Sequence, residues 1–259
     1  MLKTKVYPQI DIKLIKDPSR FYAIPLVGWI LKIVMLFPVW VMLFALGIAN
    51  FFVLAINAFY ILFTGKYWKV AHELTSGLIR LSTKTIFFMY GLTNTYPGFS
   101  LSIEDDYTVD IPYPKNPSKF FAIPILGFVV RMILLIPFII WQEVISRGVI
   151  AGFIVGSFIV FLTGKYPESL YEIDRDNVRL TQATAMYLSG LSDIYPAFAI
   201  SWNHKVIKII LLIIGVLSLL SNVFTRNQDR QQYRQNYYQR MYNNSTMPQK
   251  NSSGGYKTY

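Results

Sequence analysis

Ionisable side chains recur at helical spacing within an otherwise apolar chain. Glu73 and Arg80 lie seven residues apart, so the two side chains share one face of a helix. At membrane depth such residues are candidates for a transport path, whereas on a helix lying flat they merely face head groups. The candidate intramembrane polar residues are this pair, the equally spaced Glu172 and Arg179, and Glu143 and Arg147, whose spacing of four residues favours an ion pair.

Two Thr-Gly-Lys-Tyr segments each follow a long apolar run. Neither is a phosphate-binding loop, because no glycine stands five residues before the Gly-Lys pair and no Ser or Thr follows the lysine. Lysine and tyrosine are typical of a membrane–water boundary. We therefore interpret Lys66, Tyr67, Lys165 and Tyr166 as interfacial helix stops, with contacts to lipid head groups or a partner protein as the alternative.

Gly148, Gly152 and Gly156 form a stripe of small residues along one helix face. In lipid such a stripe lets another backbone approach closely, which predicts helix packing within the chain or between copies. A pore wall is the alternative interpretation.

The sequence lacks the patterns that catalysis and metal binding require. It has no cysteine and only two histidines, His72 and His204. It contains no HExxH, no GxSxG and no dinucleotide glycine fingerprint. We therefore expect no enzyme, no cofactor and no metal ion.

Composition predicts a membrane protein. The chain is 53% hydrophobic and 15% charged, with a net charge of +11, whereas a soluble domain has about 25% charged residues. Val39–Phe63 carries no charge and exceeds the roughly 20 residues that a span needs. Two further apolar runs cover Phe120–Leu162 and Val206–Phe224, and Lys208 in the last is expected to snorkel. We expect a multi-pass protein of the cytoplasmic membrane.

The chain repeats itself with an offset of 99 residues. FxAIPxxG at 21–28 recurs at 120–127, TGKY at 64–67 recurs at 163–166, and YPxF at 96–99 recurs at 195–198. A constant offset without gaps predicts an internal duplication. The predicted domains are a first membrane repeat (1–104), a second membrane repeat (105–203), a C-terminal transmembrane helix (204–224) and a tail (225–259).

Each repeat is predicted to contain a strand, an interfacial helix, a spanning helix, a return helix and a second strand, so the fold class is mainly α. Alternating residues predict strands at 9–14, 99–103, 108–111 and 198–202. If the four strands pair into one small sheet, both ends of each repeat must lie on the same side of the membrane. Pro38 and Pro137 are expected to end the interfacial helices and open the spanning ones. The return helices either cross the membrane or lie flat on it.

The tail is rich in Gln, Asn, Tyr, Ser and Arg and has almost no aliphatic residues, which predicts disorder. Its basic residues interleaved with tyrosine suit anionic lipid head groups or RNA. Nucleic acid is expected as a partner at most through this tail. The expected partners are membrane lipids and either a second copy of the chain or another membrane protein.

The TGKY turn, the Arg-Leu pair in the next helix and the segment GLTNTYPGFSL resemble a bacterial membrane family, domain of unknown function 4389. Its members typically carry a Thr-Gly-Arg-Tyr-Pro-like turn and a Tyr-Pro-Pro-Phe-Ser-like segment. The resemblance covers most of 7–202 as two tandem copies, with Lys66 and Lys165 where arginine is common and Trp68 in place of the proline kept at Pro167. It implies the fold and a membrane location, and it implies no activity.

These observations favour a non-enzymatic structural or partner-binding component of the cytoplasmic membrane. The alternative is a small transporter or channel, in which Glu73, Arg80, Glu172 and Arg179 line a polar path.

Overall fold

The computed structural model describes residues 9–246, apart from 103–106, 199 and 202. The chain forms two compact units, residues 1–215 and 216–259. The elements in order are β1 (Gln9–Ile12), α1 (Arg20–Ala23), α2 (Val27–Thr64), α3 (Lys69–Tyr90), β2 (Tyr107–Asp110), a short 3₁₀ helix (Phe120–Ala122), α4 (Leu126–Thr163), α5 (Glu168–Leu188) and α6 (Lys205–Thr246). The predicted mainly helical fold class is confirmed.

Helices α2 and α4, together with Lys205–Gln239 of α6, are long and apolar enough to cross a membrane. A span needs about 20 apolar residues, and α2 has 38 residues. Large apolar side chains cover the outer surface of α2, where Phe44 is 71% exposed and Phe63 is 85% exposed. Such a surface is costly in water, at roughly 25 cal/mol per Å² of apolar area, and is well solvated by lipid tails. The structure is therefore consistent with a membrane protein, as the composition predicts.

The two interior prolines do not divide the long helices. The expected break into interfacial and spanning helices is wrong, because α2 runs through Pro38 and α4 through Pro137. A proline frees carbonyl oxygens in the preceding turn, and a helix tolerates this where another donor bonds them. The Tyr96 hydroxyl donates to the Met35 oxygen at 3.1 Å, and the Tyr195 hydroxyl donates to the Leu134 oxygen at 3.2 Å.

Two of the four predicted strands are present in the described part of the chain. Strands β1 and β2 pair antiparallel, with Ile10 opposite Val109. The segments predicted at 99–103 and 198–202 form no strand where they are described, so the strand prediction is wrong for those residues. Their backbone groups bond to helix side chains instead of a ladder. Lys84 donates to the Ser100 oxygen, and the Ser201 N–H donates to Asp176.

The prediction of a disordered tail is wrong for residues 225–246, which continue α6 as far as Thr246. Residues 247–259 lie outside the described part. The composition of the tail excludes a packed core, but Gln and Arg are good helix formers. A helix that is already nucleated propagates into such a sequence at little cost.

Contacts between the first and second halves of the chain recur at an offset of 99 residues. The Arg20 guanidinium donates to the Thr163 oxygen at 3.3 Å, at the end of α4. Lys119, 99 residues after Arg20, places its Cε 3.4 Å from the Cβ position of Gly65, just past the end of α2. The start of each half therefore lies against the far end of the long helix in the other half.

Candidate functional site

Helix α5 is polar in sequence yet lies inside the first unit, packed against α4, α3 and β1. Its buried polar residues are Ser169, Glu172, Asp174, Asp176, Asn177 and Gln182. Buried charges are costly unless they are paired and hydrogen-bonded. The partners of these side chains therefore define the chemistry available at this site.

Glu172 forms a closed ion pair with Lys208 at the start of α6. The Lys208 side chain is 0% exposed. Its ammonium donates to Glu172 Oε2 at 2.7 Å, to the Ser201 oxygen at 2.8 Å and to Ser201 Oγ at 2.6 Å, which uses all three of its protons. The expectation that Lys208 snorkels is wrong, because a buried carboxylate offers it a stronger partner than the head groups.

Further donors hold the Glu172 carboxylate in its ionised form. Asn203 donates to Oε1 at 2.9 Å, and the Ser201 hydroxyl donates to Oε2 at 3.1 Å. Burial alone would raise the pKa of Glu172, but the hydrogen bonds from Asn203, Lys208 and Ser201 outweigh it and lower the pKa to about 2. The Glu172 carboxylate is therefore charged throughout the physiological range.

The other two acids of α5 have different environments. Asp176 accepts from Arg179 at 3.0 Å and from Arg175 at 3.4 Å. Asp174 is completely buried and accepts a hydrogen bond from the Tyr166 hydroxyl. Burial raises the pKa of Asp174 to about 8, although the Tyr166 bond lowers it. Asp174 is thus mainly protonated at pH 7, while Asp176 is held by two guanidinium groups.

One group of side chains has the spacing of a cation site. Ligand atoms of Glu168, Glu172 and His204 lie within 4.8 Å of one another. However, both Glu172 oxygens already accept hydrogen bonds, and the Lys208 ammonium stands 2.7 Å from one of them. A divalent cation would meet a buried positive charge there, so these residues do not fit a metal.

The predicted polar pairs are placed differently in the two halves. Glu73 is exposed, whereas its counterpart Glu172 is buried. Glu172 and Arg179 do not form one site, because Glu172 pairs with Lys208 and Arg179 with Asp176. Arg80 lies half-buried on α3.

In the two TGKY turns, the lysines and the tyrosines have different environments. Lys66 and Lys165 are exposed, but Tyr67 and Tyr166 are buried and face the protein interior. Tyr67 donates to the Ser189 oxygen at 3.0 Å, and Tyr166 donates to Asp174. For the tyrosines, burial speaks against the alternative interpretation of contacts to lipid head groups or a partner protein, because each phenol bonds an acceptor inside the chain.

The remaining sequence candidates lie on α4. Arg147 bonds Glu143 at 2.7 Å, as their spacing predicts. A Cβ on Gly148 would lie 2.5 Å from the Leu211 oxygen, and a Cβ on Gly152 would contact Leu170 and Leu211. Gly156 lies against Leu170 and Tyr166. The stripe therefore meets side chains and backbone of the same chain, the first of the two packing arrangements expected for it.

Sequence reasoning missed several residues that carry the network. Asp176 carried a local signal that was overlooked, since Arg179 lies three residues after it on α5. Asp174 and Ser201 gave none, because Asp174 bonds Tyr166 across the turn before α5 and Ser201 bonds Glu172 from beyond the end of α5. The paired Arg131 and Asp193 and the buried Lys32 were also missed. A usable signal was present for the last three, since Lys32 and Arg131 lie 99 residues apart in the sequence, as do Asn94 and Asp193.

Comparison with known families adds one finding. Residues 126–200 match the family model described as Domain of unknown function (DUF4389). The DUF4389 match runs from the start of α4 through α5 to Ile200, so it includes Glu172 and Asp176 and ends before Lys208. The resemblance predicted from the sequence is confirmed for this segment. No curated protein and no solved structure matches the chain.

Proposed function

We propose that the chain is a non-enzymatic, multi-pass protein of the cytoplasmic membrane with a structural or partner-binding role. The observation that carries this proposal is the exposed surface of α6 in the second unit. Tyr233, Tyr237 and Met241 follow one another at intervals of four residues and are 51–75% exposed. A stripe of exposed tyrosine and methionine side chains on one helix is typical of a contact surface.

The proposed arrangement is two tandem DUF4389-like units, residues 1–104 and 105–203, that associate as two subunits would. The support is the series of reciprocal contacts at an offset of 99 residues, such as Arg20 with Thr163 and Lys119 with Gly65. Reciprocal contacts are characteristic of a two-fold interface. The proposed partners are membrane lipids and a second copy or another membrane protein.

Truncation tests the partner-binding role of α6. The full chain, a variant lacking 225–259 and a control lacking only 247–259 are expressed and crosslinked in membranes. We expect all three to insert equally. The first truncation should lose the crosslinked complexes, and the control should keep them because its exposed tyrosines remain. Identical complexes in all three would contradict this role.

A transporter or channel is the second proposal, and burial of Glu172, Asp174 and Asp176 on one helix favours it. In proteoliposomes carrying a pH-sensitive dye, this proposal predicts proton or counter-ion flux that is lost in Arg80→Ala and Arg179→Ala. Arg147→Ala is the matched control, because its partner Glu143 is exposed. The leading proposal predicts no flux that depends on these arginines.

A further inference from the structure

Equivalent positions of the two halves hold a buried cation in different ways. In the second half, Arg131 is 4% exposed and forms an ion pair with Asp193. It also donates to the backbone oxygens of Tyr187 and Ser192 and lies over the Phe121 ring, 4.5 Å from its centroid. Asp193 in turn accepts from the Ser118 N–H at 2.7 Å. The charge is thus fully compensated within the chain.

In the described part of the first half, the equivalent cation has no counter-ion. Lys32, 99 residues before Arg131, is 3% exposed, and its ammonium donates to the Met89 oxygen at 3.3 Å. The rings of Tyr22 and Phe88 lie 6.0 Å and 5.8 Å away. Asn94 stands where the second half has Asp193, and it makes the equivalent bond to the Ser19 N–H at 3.0 Å. Among the described residues, no carboxylate lies within ion-pair distance of Lys32.

A buried ammonium has three protons to donate and is costly without an opposite charge. One carbonyl and two ring faces offset only part of that cost. Arg131 shows what completes the arrangement at this position, namely one negatively charged oxygen. The Lys32 ammonium can therefore donate a further hydrogen bond to an anion from outside the chain.

A cleft leads to Lys32. Its lining includes Ser19, Tyr22, Asn94, Ser157 and Tyr166, and it has space for about one water-sized group beside the ammonium. It admits a single oxygen atom rather than a whole head group. The neighbouring residues Phe21, Leu26 and Val27 are exposed and apolar, so the cleft borders the surface that faces lipid.

We infer that the cleft at Lys32 binds one oxygen of a phosphate group, which supplies the negative charge that Asp193 supplies to Arg131. The phosphate belongs either to an anionic lipid whose acyl chains lie on the adjoining apolar surface or to free phosphate in solution. The remaining atoms of the ligand stay outside the cleft.

Thermal unfolding of the purified full chain tests the site with phosphatidylglycerol, phosphatidylcholine and inorganic phosphate as probes. We expect phosphatidylglycerol to raise the unfolding temperature more than phosphatidylcholine does, because the choline cation opposes attraction to Lys32. Lys32→Met should weaken the apparent affinity at least tenfold. Lys165→Met removes an exposed lysine and should bind as the wild type does.

Asn94→Asp is the decisive variant, because Asn94 and Lys32 line the same cleft and the substitution introduces there the carboxylate found in the second half. The substitution also removes the hydrogen bond that the Asn94 amide donates to the Asp17 oxygen at 2.9 Å. It should keep the elution profile of the wild type and lose at least tenfold in affinity, even if Lys32→Met fails to fold. Binding of inorganic phosphate alone, with the same dependence on residues 32 and 94, would assign the site to free phosphate. Wild-type affinity in Asn94→Asp, or an equal loss in Lys165→Met, would overturn the inference.

Discussion

The hydroxyl of Tyr67 donates a hydrogen bond to the backbone oxygen of Ser189 at 3.0 Å, joining the turn after α2 to the end of α5. Ninety-nine residues later, the Tyr166 hydroxyl lies 3.4 Å from the Tyr90 oxygen at the end of α3. A contact that returns with its partners exchanged is what a two-fold axis produces in a homodimer. The predictions below follow from this relationship and from the buried charges beside it.

Removing the charge of Glu172 should strongly destabilise the fold. Glu172→Gln leaves the fully buried Lys208 ammonium without its counter-ion. Breaking one side of a buried pair costs about 3–5 kcal/mol. Thermal unfolding in detergent measures the effect, and Glu172→Gln combined with Lys208→Met should recover part of the loss.

Glu143→Gln is the matched control for that measurement. Its partner Arg147 is also four residues away on α4, but Glu143 is 47% exposed. Exposed pairs contribute about 0–1 kcal/mol, so this variant should unfold close to the wild-type temperature. An equally small effect of Glu172→Gln would contradict the account of the buried pair.

Acid should remove the contribution of the Glu172 carboxylate to the free energy of unfolding over a defined range of pH. The pKa of Glu172 falls from 4.5 to about 2 on folding, so the folded state favours the charged form. The resulting stability is complete above pH 4.5 and is lost as the pH falls toward 2. Unfolding measured across this range should show a steeper acid loss in the wild type than in Glu172→Gln. Parallel curves would contradict the lowered pKa.

Local sequence patterns are enough to predict three features of the fold. These are the long apolar helices, the strands β1 and β2, and the Glu143–Arg147 ion pair. Local patterns do not predict where the long helices begin. They continue through Pro38 and Pro137 because the hydroxyls of Tyr96 and Tyr195, distant in sequence, bond backbone oxygens in the turn before each proline. The strands predicted at 99–103 and 198–202 are absent from the described residues for the same reason, because contacts from distant residues decide the conformation there. Periodicity indicates an extended segment at 99–102, but only the folded helix brings Lys84 to its backbone.

The candidate site is predictable to a smaller extent. Glu172 and Arg179 are conspicuous because they are charges in an apolar chain, and the spacing of three residues is enough to predict the pair of Arg179 with Asp176. Spacing along α5 says nothing about Lys208, because the Glu172–Lys208 pair forms only when the start of α6 packs beside α5. Comparing positions 99 residues apart carries more information, since the sequence has Asn94 at the position that corresponds to Asp193, which reveals the changed surroundings of Lys32.

A methyl group at Gly148 should destabilise the packing of α4 against α6. The added Cβ would lie 2.5 Å from the Leu211 backbone oxygen, so one helix must move. Overpacking of this kind costs about 1–3 kcal/mol. Gly47→Ala on α2 is the control, because nothing lies within 4 Å of its Cβ position. That variant should hold or raise stability, and equal losses in both would contradict the packing role.

If α2 and α4 both cross the membrane, the structure predicts on which side the end of each helix lies. Trp29 near the start of α2 bonds Ser157 near the end of α4 at 3.2 Å, so the two helices run in opposite directions. Cysteines at Lys66 and Lys165 should then react with an impermeant maleimide from opposite sides of the membrane. The chain has no native cysteine to interfere. Labelling of both from one side would instead place α2 and α4 flat in the interface.

The most direct test of the reciprocal arrangement is crosslinking between paired cysteines in the membrane. Residues 20, 66, 119 and 165 are exposed, and a short thiol-specific crosslinker can bridge only neighbours. We predict intramolecular crosslinks for 20 with 165 and for 119 with 66. The pairs 20 with 66 and 119 with 165 should not react, because a 38-residue helix of about 55 Å separates them. Crosslinks within each half, or none between the halves, would contradict the two-fold association.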